Sequence, residues 1–222
     1  MLDSLQIMMR DVSLAIGQTF YMVIISLIIA TILGGALGLL MFLTADELFV
    51  KLPVLNSIMS SVINVIRSVP FLILMIFLLP LSKIIVGTKI GPTAVIVPLS
   101  IATIAFFARL AEASFSEVNH GVLEAYVASG ALKRDVIFKI LLPEAWPSLV
   151  KNITVTSISV LGFSAMAGLV GGGGLGDLAY RYGYQQYKTN VMIVCVILLI
   201  ALVQIIQYIG DTIVLRINQK KR

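Results

Sequence analysis

The 222-residue sequence contains little charge for its length. Charged residues make up 12% of the chain and apolar residues 59%, whereas soluble globular domains carry about 25% charged and roughly 45–50% apolar residues. A chain this short cannot hide so much apolar surface in a core of its own. The composition excludes an ordinary soluble domain and predicts an all-α integral membrane protein, with residues 1–222 forming a single membrane domain.

Groups that carry catalysis or bind metals are also scarce. A lone cysteine, Cys195, excludes an internal disulfide and a multi-cysteine metal site. The single histidine, His120, has no ligand cluster beside it and is expected to be solvated, so no metal site is predicted. No serine has an evident histidine and acid partner, and no GxxxxGK[ST] phosphate-binding motif occurs. The chain is therefore predicted to be a non-catalytic protein that binds no cofactor.

The net charge of +5 does not indicate nucleic-acid binding, because the sequence contains no basic folded module. Gly171, Gly173 and Gly176 formally match GxGxxG, but a dinucleotide site needs a preceding strand and an acidic residue about 20 positions later. Here the glycines follow an apolar run, and residues 190–210 contain no acid. We interpret the glycine-rich block as a flexible, close-packed turn near the outer membrane face.

Long apolar runs define the expected topology, since a transmembrane helix needs about 20 apolar residues. Five spans are predicted, at about 20–43, 55–81, 93–109, 153–170 and 191–211. Arg67 and Pro70 interrupt the second, and Gly34 and Gly38 predict close helix packing in the first. Residues 1–18 lack the features of a cleaved signal peptide and are expected to form an amphipathic helix on the membrane surface.

The distribution of basic residues orients these spans. With the C-terminus in the cytoplasm, ten of the 16 Lys and Arg residues lie inside and five outside, and Arg67 lies within a span. The positive-inside rule therefore predicts an external N-terminus and a cytoplasmic C-terminus.

The segment 112–150 is too polar to span and is the main predicted cytoplasmic feature. Apolar residues recur at helical spacing on both sides of Gly130, which permits a sharp change of direction. Pro143 is expected to end the second helix. The pattern predicts a helix–turn–helix whose apolar side docks into a groove on another protein.

This segment reads Glu124-Ala125-Tyr126-Val127-Ala128-Ser129-Gly130, with Leu142-Pro143 twelve residues after the glycine. It resembles the EAA loop of permeases in binding-protein-dependent ABC importers, whose helices insert into the ATPase subunit. The resemblance implies a type I importer permease and a coupling role for these residues: Glu124, Ala125, Ala128, Gly130, Ala131, Leu142 and Pro143. One departure is Tyr126, where the family usually has a second alanine.

Further blocks, in order between about residues 60 and 211, look like the methionine-importer permeases: Arg67 to Phe71, Val86 to Gly91, Ser164 to Ala179, and Arg181 to Tyr184. That resemblance implies import of methionine, as the L- and also the D-enantiomer, across the bacterial inner membrane by alternating access. It implies a second copy of the permease, two ABC ATPase subunits that bind ATP and Mg²⁺, and an external methionine-binding protein.

The fourth span is predicted to line the pathway, because it combines small residues with hydroxyls at Thr154, Thr156, Ser157 and Ser159. Met166 is the predicted gate, since methionine adapts its shape readily. The full pathway set is Ser164, Met166, Gly168, Gly171 and Gly172. Arg67 is either a substrate contact or a residue that packs, snorkels or pairs with Glu112 or Glu117.

Three alternative functions remain open at this point. A permease for another amino acid or a small peptide shares the EAA loop. A proton-coupled secondary carrier needs ionisable relays inside the spans, and only Arg67 qualifies. A purely structural membrane subunit does not account for the docking surface.

Overall fold

All regular secondary structure in the part of the chain that the structure describes is helical. The structure is a computed structural model that describes residues 2–220, with the side chains of residues 10–219. Its α-helices are α1 (Leu2–Ile29), α2 (Gly35–Ala45), α3 (Pro53–Ser68), α4 (Phe71–Val86), α5 (Pro92–Ser116), α6 (His120–Ala128), α7 (Lys133–Val136), α8 (Leu142–Ala167), α9 (Gly174–Leu178) and α10 (Thr189–Lys220). The predicted all-α class is confirmed.

Within the described residues, four helical segments are long and apolar enough to cross a membrane: Arg10–Ala45, Pro92–Ser116, Lys133–Val170 and Thr189–Gln219. A fifth crossing exists if the bent pair α3 and α4 counts as one span. The helices extend beyond most of the predicted spans, because hydropathy marks the apolar centre of a helix and not its polar ends.

The predicted second span, 55–81, is two helices bent by 108° with respect to each other. Pro70 causes the break. A residue that precedes proline is pushed out of the helical region, and Val69 is extended, with φ −82° and ψ 128°. The expectation of one interrupted helix is corrected accordingly.

The N-terminal residues continue directly into the first span. α1 begins at Leu2 and is joined to α2 by a π-helical turn at Ala30–Gly34, so a separate helix on the membrane surface is not formed. A Cβ on Gly38 would lie 2.5 Å from the Ala108 carbonyl oxygen, and one on Gly34 would lie 2.9 Å from the Ile104 carbonyl oxygen. The close packing predicted from these glycines is confirmed, and its partner is α5.

α5 is the central helix of the bundle. It packs against α1, α2, α3, α4 and α8. Leu99, Thr103 and Ala108 are fully buried, so the small and apolar residues of this helix contact neighbours on most sides.

The predicted helix end at Pro143 is wrong. α7, a π-helical turn at Ile137–Leu141 and α8 follow one another without a break, so the helix that leaves the Gly130 turn is also the fourth span. Pro143 lies in the first turn of α8, immediately after the π-helical turn. The π-helical turn departs from the i→i−4 hydrogen-bond pattern immediately before Pro143, so the proline is accommodated without ending the helix.

The segments that connect the helices lie at two opposite ends of the bundle. The loop end comprises residues 46–52, 117–132 and 214–218, joined by contacts such as Lys133 Nζ donating to the Phe49 carbonyl. The glycine end comprises residues 10–19, 87–91 and 168–188, where the Gly91 N–H donates to the Gly171 carbonyl at 2.9 Å. This grouping is the one that five crossings require.

Candidate coupling surface and transport pathway

α6 is fixed to the loop end by its start and by one buried side chain. The Asn119 side chain accepts a hydrogen bond from the Gly121 N–H at 2.9 Å and caps the helix. Leu123 is fully buried in a cluster with Phe42, Phe49 and Phe115. Val127 of α6 packs against the same cluster, so the helix is held at the surface by one apolar side and a cap.

Gly130 ends α6 in a Schellman motif. The Gly130 N–H donates to the Val127 carbonyl at 3.1 Å, and the Ala131 N–H donates to the Tyr126 carbonyl at 3.2 Å. Gly130 has φ +84°, a backbone region that residues with a Cβ disfavour. The predicted sharp turn at this glycine is confirmed.

Polar contacts tie the α6–α7 segment to the loop between α2 and α3. His120 lies 3.3 Å from an Asp46 carboxylate oxygen and 3.1 Å from Glu124 Oε1. His120 is therefore a bridging residue and not simply solvated as expected. Across the described residues, His, Cys, Asp and Glu side chains form no group of three or more that could hold a metal ion.

The solvent-exposed surface of the α6–α7 segment carries apolar side chains that no other described part of the chain covers. Leu132 is 71% exposed and Phe138 is 60% exposed, and Val122 and Tyr126 are also exposed. Leu132 and Phe138 border a shallow cavity of about 380 Å³ together with Arg134 and Lys139. An apolar patch next to basic groups is the composition of a protein-docking surface.

Five of the seven predicted coupling residues lie between Glu124 and Ala131, within this segment, and Leu142 and Pro143 lie at the start of α8. Ala131 and Leu142 are half-buried, and the others are exposed: Glu124, Ala125, Ala128, Gly130 and Pro143. Their contact with an ATPase stays a prediction.

The glycine end is packed backbone to backbone. A Cβ on Gly168 would lie 2.1 Å from the Asp177 nitrogen, and one on Gly176 would lie 2.0 Å from the Ala165 carbonyl oxygen. α9 therefore rests directly on the end of α8, and a side chain at either position would separate the two helices. The close packing predicted for this block is confirmed.

α1 completes the glycine end through two side chains. Gln18 Oε1 accepts from the Gly174 N–H at 2.8 Å, and Thr19 Oγ1 accepts from the Leu175 N–H at 2.9 Å. Arg181 donates to both carboxylate oxygens of Asp177, and this hydrogen bonding raises the pKa of the Arg181 guanidinium. These contacts satisfy the polar groups that surround the turn.

Most hydroxyls of the fourth span, Ser159 excepted, do not line an open surface in the single chain. Thr154, Thr156, Ser157 and Ser164 are buried, and each donates to a backbone carbonyl of its own helix. Bonding of this kind satisfies a hydroxyl inside a helix. The hydroxyl pattern therefore marks the packed side of α8, against the expectation that these groups face the pathway.

The opposite face of α8 is uncovered and carries the predicted gate. Val155, Met166 and Leu169 are exposed, and Gly162 and Ser159 continue the same face at helical spacing. Of the other predicted pathway residues, Gly171 is exposed, and Ser164, Gly168 and Gly172 are buried. The pathway roles stay predictions, with Met166 best placed for one.

A second uncovered face, on α3, was missed in the sequence. Ser57, Ser61, Asn64 and Ser68 are exposed and lie at the spacing i, i+4, i+7, i+11, so they share one face of the helix. The opposite face packs Ile63 against α2 and α5. The helical period of the polar residues within 55–81 was the signal that could have revealed it.

Arg67 also differs from one of its expected roles. Glu112 pairs with Arg109, at 2.6 Å, and not with Arg67. Arg67 lines a cavity of about 370 Å³ where α3 breaks from α4, with Phe71, Phe106 and Phe163.

The chain is similar to known membrane transport proteins over most of its length. The family model described as "Binding-protein-dependent transport system inner membrane component" matches residues 34–221. The chain is 48% identical over 207 residues to the probable D-methionine transport system permease protein MetI of Vibrio cholerae, covering 93% of this chain and 92% of that one. It is 45% identical over 174 residues to the methionine import system permease protein MetP of Bacillus subtilis, covering 78% of each chain.

Solved structures share the fold. A chain in an inward-facing structure of the MetNI methionine ABC transporter superposes with a TM-score of 0.91 at 38% identity, covering 95% of this chain and 97% of that one. An amino acid ABC transporter solved with histidines superposes with a TM-score of 0.79 at 18% identity, a similarity of fold alone.

Proposed function

The chain belongs to the family of inner-membrane components of binding-protein-dependent transport systems, and from that premise we propose that it is the permease subunit of an ATP-driven methionine importer. The methionine assignment rests on the relatives, which are similar over most of the chain and whose names specify methionine or D-methionine. We propose that both enantiomers are carried.

The structural observation that carries the proposal is the uncovered apolar surface on α6 and Leu132. It lies at one end of the bundle, and the helix that follows Leu132 crosses the bundle as the fourth span. A partner that grips this surface would act on a spanning helix without an intervening flexible loop. We propose that the partner is an ABC ATPase, two copies of which bind ATP and Mg²⁺ and dock on a dimer of this permease.

The alternatives are less well supported by the residues. A proton-coupled carrier requires acids within its spans. The sequence has none between Glu47 and Glu112, between Glu144 and Asp177, or between Asp177 and Asp211. A permease for another amino acid stays an outcome of the transport test.

We further propose that the loop end and the C-terminus face the cytoplasm of the bacterial cell and that the glycine end receives substrate from an external methionine-binding protein. Asp3→Cys and Gln219→Cys, each in a Cys195→Ser background, would be labelled with a membrane-impermeant maleimide. Labelling of Asp3→Cys from outside and of Gln219→Cys only after permeabilisation is expected. The reverse pattern would overturn the orientation.

The transport proposal is tested in vesicles that contain the permease, its ATPase and the binding protein. We expect ATP-dependent uptake of labelled L- and D-methionine, and no ATP hydrolysis by the purified permease alone. Competition by other, unlabelled amino acids defines the range of transported substrates. Uptake that prefers a different amino acid, or that follows a proton gradient without ATP, would contradict the proposal.

A further inference from the structure

We propose that Arg67 and the cavity at the break between α3 and α4 form a transient site for the carboxylate of an apolar amino acid, halfway through the permease. The inference rests on the proposed function, because it names where the transported amino acid pauses.

The cavity lies near half depth in the bundle. Its walls include Ala102 and Phe106, on either side of the centre of α5, which runs from Pro92 to Ser116. A 25-residue helix is about 37 Å long, so its centre is about 18 Å from either end. Charged residues at such a depth are costly and usually have a functional partner.

In the part of the chain that the structure describes, none of the ion pairs involves Arg67: they join carboxylates to Lys51, Arg109, His120, Lys139 and Arg181. All 11 acidic residues of the sequence lie outside residues 48–111 and outside residues 145–176. A carboxylate supplied by a ligand is the group that this guanidinium lacks.

The remaining walls of the cavity suit an apolar side chain. The rings of Phe71 and Phe163 stack with centroids 4.6 Å apart, and Phe106 lies on another side. A thioether makes favourable contacts with aromatic rings. The volume of about 370 Å³ lies in the range of small-molecule sites.

The polar face of α3 provides the approach. Ser57, Ser61, Asn64 and Ser68 run along α3 from the loop end towards Arg67, uncovered in the single chain. Between apolar helices such a face is suited to water and poorly suited to lipid tails. We place the site where this water-accessible face ends, at the end of α3 farther from the loop end. From there a weakly held amino acid is released towards the loop end.

Binding to the permease–ATPase complex without its binding protein tests the site. Labelled methionine is expected to bind weakly and saturably, with competition by methionine and not by methioninamide, which lacks the carboxylate. Arg67→Gln should weaken binding by about tenfold or more, as expected for a charge-assisted hydrogen bond. Arg67→Lys should retain part of the affinity. Equal competition by methioninamide, or unchanged binding in Arg67→Gln, would overturn the proposal.

A lipid phosphate is the other source of an anion for Arg67. The measurements are therefore repeated in nanodiscs with and without anionic lipid. If Arg67 holds a headgroup, Arg67→Gln will change the unfolding temperature only when anionic lipid is present, and methionine binding will be the same in the variant and the wild type. That result also overturns the proposal. Thermal unfolding of Arg67→Gln is measured in parallel, and Ser57→Ala is the matched variant on the same face, expected to change binding little.

Uptake in complete vesicles separates the two proposals. Wild-type complex that takes up no methionine refutes the proposed function. If the wild-type and Arg67→Gln complexes take up methionine with the same dependence on its concentration, the proposed function stands and only the Arg67 site is refuted.

Discussion

The turns at the two ends of the permease both depend on glycine, for different reasons. At the loop end, a Cβ on Gly130 would meet nothing within 4 Å, but the backbone has φ +84°. At the glycine end, Gly176 has no unusual φ, but a Cβ there would lie 2.0 Å from the Ala165 carbonyl oxygen. The loop-end turn needs the conformational freedom of glycine. The glycine end needs its small size at Gly176 and its conformational freedom at Gly171, Gly173 and Gly174, which have φ +81°, +77° and +79°.

The contrast matches the two environments. The loop-end turn is exposed and carries uncovered apolar side chains, as a surface that meets another protein requires. The glycine-end turn is buried against α8 and α1, so that its backbone packs without intervening side chains. The loop end is therefore predicted to tolerate changes of size that keep the backbone preference of glycine, whereas the glycine end tolerates a larger residue neither at Gly176, for lack of space, nor at Gly173, which also has a positive φ.

The largest effect is expected at Gly176. Gly176→Ala forces α9 away from α8, because the new methyl group meets backbone atoms that cannot rotate away. We expect a loss of about 1–3 kcal/mol or more in stability, measured as a lower unfolding temperature of the purified complex. Gly17→Ala is the matched control, since a Cβ at Gly17 would meet nothing within 4 Å. If both variants unfold at the same temperature, the close packing at the glycine end is wrong.

A smaller effect on stability, but a large one on coupling, is expected at Gly130. Gly130→Val places a β-branched residue at positive φ, at a cost of about 1–2 kcal/mol. The variant should insert into the membrane but lose substrate-stimulated ATP hydrolysis or fail to assemble with the ATPase. Gly130→Asn should keep more of both, because asparagine tolerates this backbone region. Normal uptake by Gly130→Val would rule out a role for the turn.

Met166 tests whether the glycine end also closes the pathway. The side chain is 46% exposed, so Met166→Ala should change stability by no more than about 0.5 kcal/mol. We expect the resting complex to leak labelled methionine, and a bulkier side chain to slow uptake. Val155→Ala, on the same uncovered face nearer the loop end, is the control. Equal leak from both variants, or from neither, would place the gate elsewhere.

The smallest effect is expected for His120. Exposed ion pairs contribute about 0–1 kcal/mol, and the side chain of His120 is 55% exposed. His120→Gln should lower the unfolding temperature only slightly while loosening α6 from Asp46. Hydrogen exchange of α6 should rise, with residues 168–188 unchanged. Faster exchange at both ends would show that the two turns are not independent.

The sequence predicted the class, the five apolar segments and the turn at Gly130, because each depends on local composition or on one backbone preference. It did not predict the 108° bend or the continuity of α7 with α8. Both depend on how a proline is accommodated: Pro70 follows an extended residue, whereas Pro143 lies in a first helical turn. The hydroxyls of α8 misled for a similar reason, since a threonine that bonds its own helix resembles one that faces water until packing is known.

The unbroken helix from Lys133 to Ala167 has a mechanical consequence. With the turn that continues it to Val170, the segment has 38 residues and is about 55 Å long. Leu132 and Met166 lie near its opposite ends. Tilting a rod of that length by about 5° around one tip moves the other by about 5 Å, close to the rise of one helical turn. A small swing at one membrane face thus becomes a displacement of side-chain size at the other.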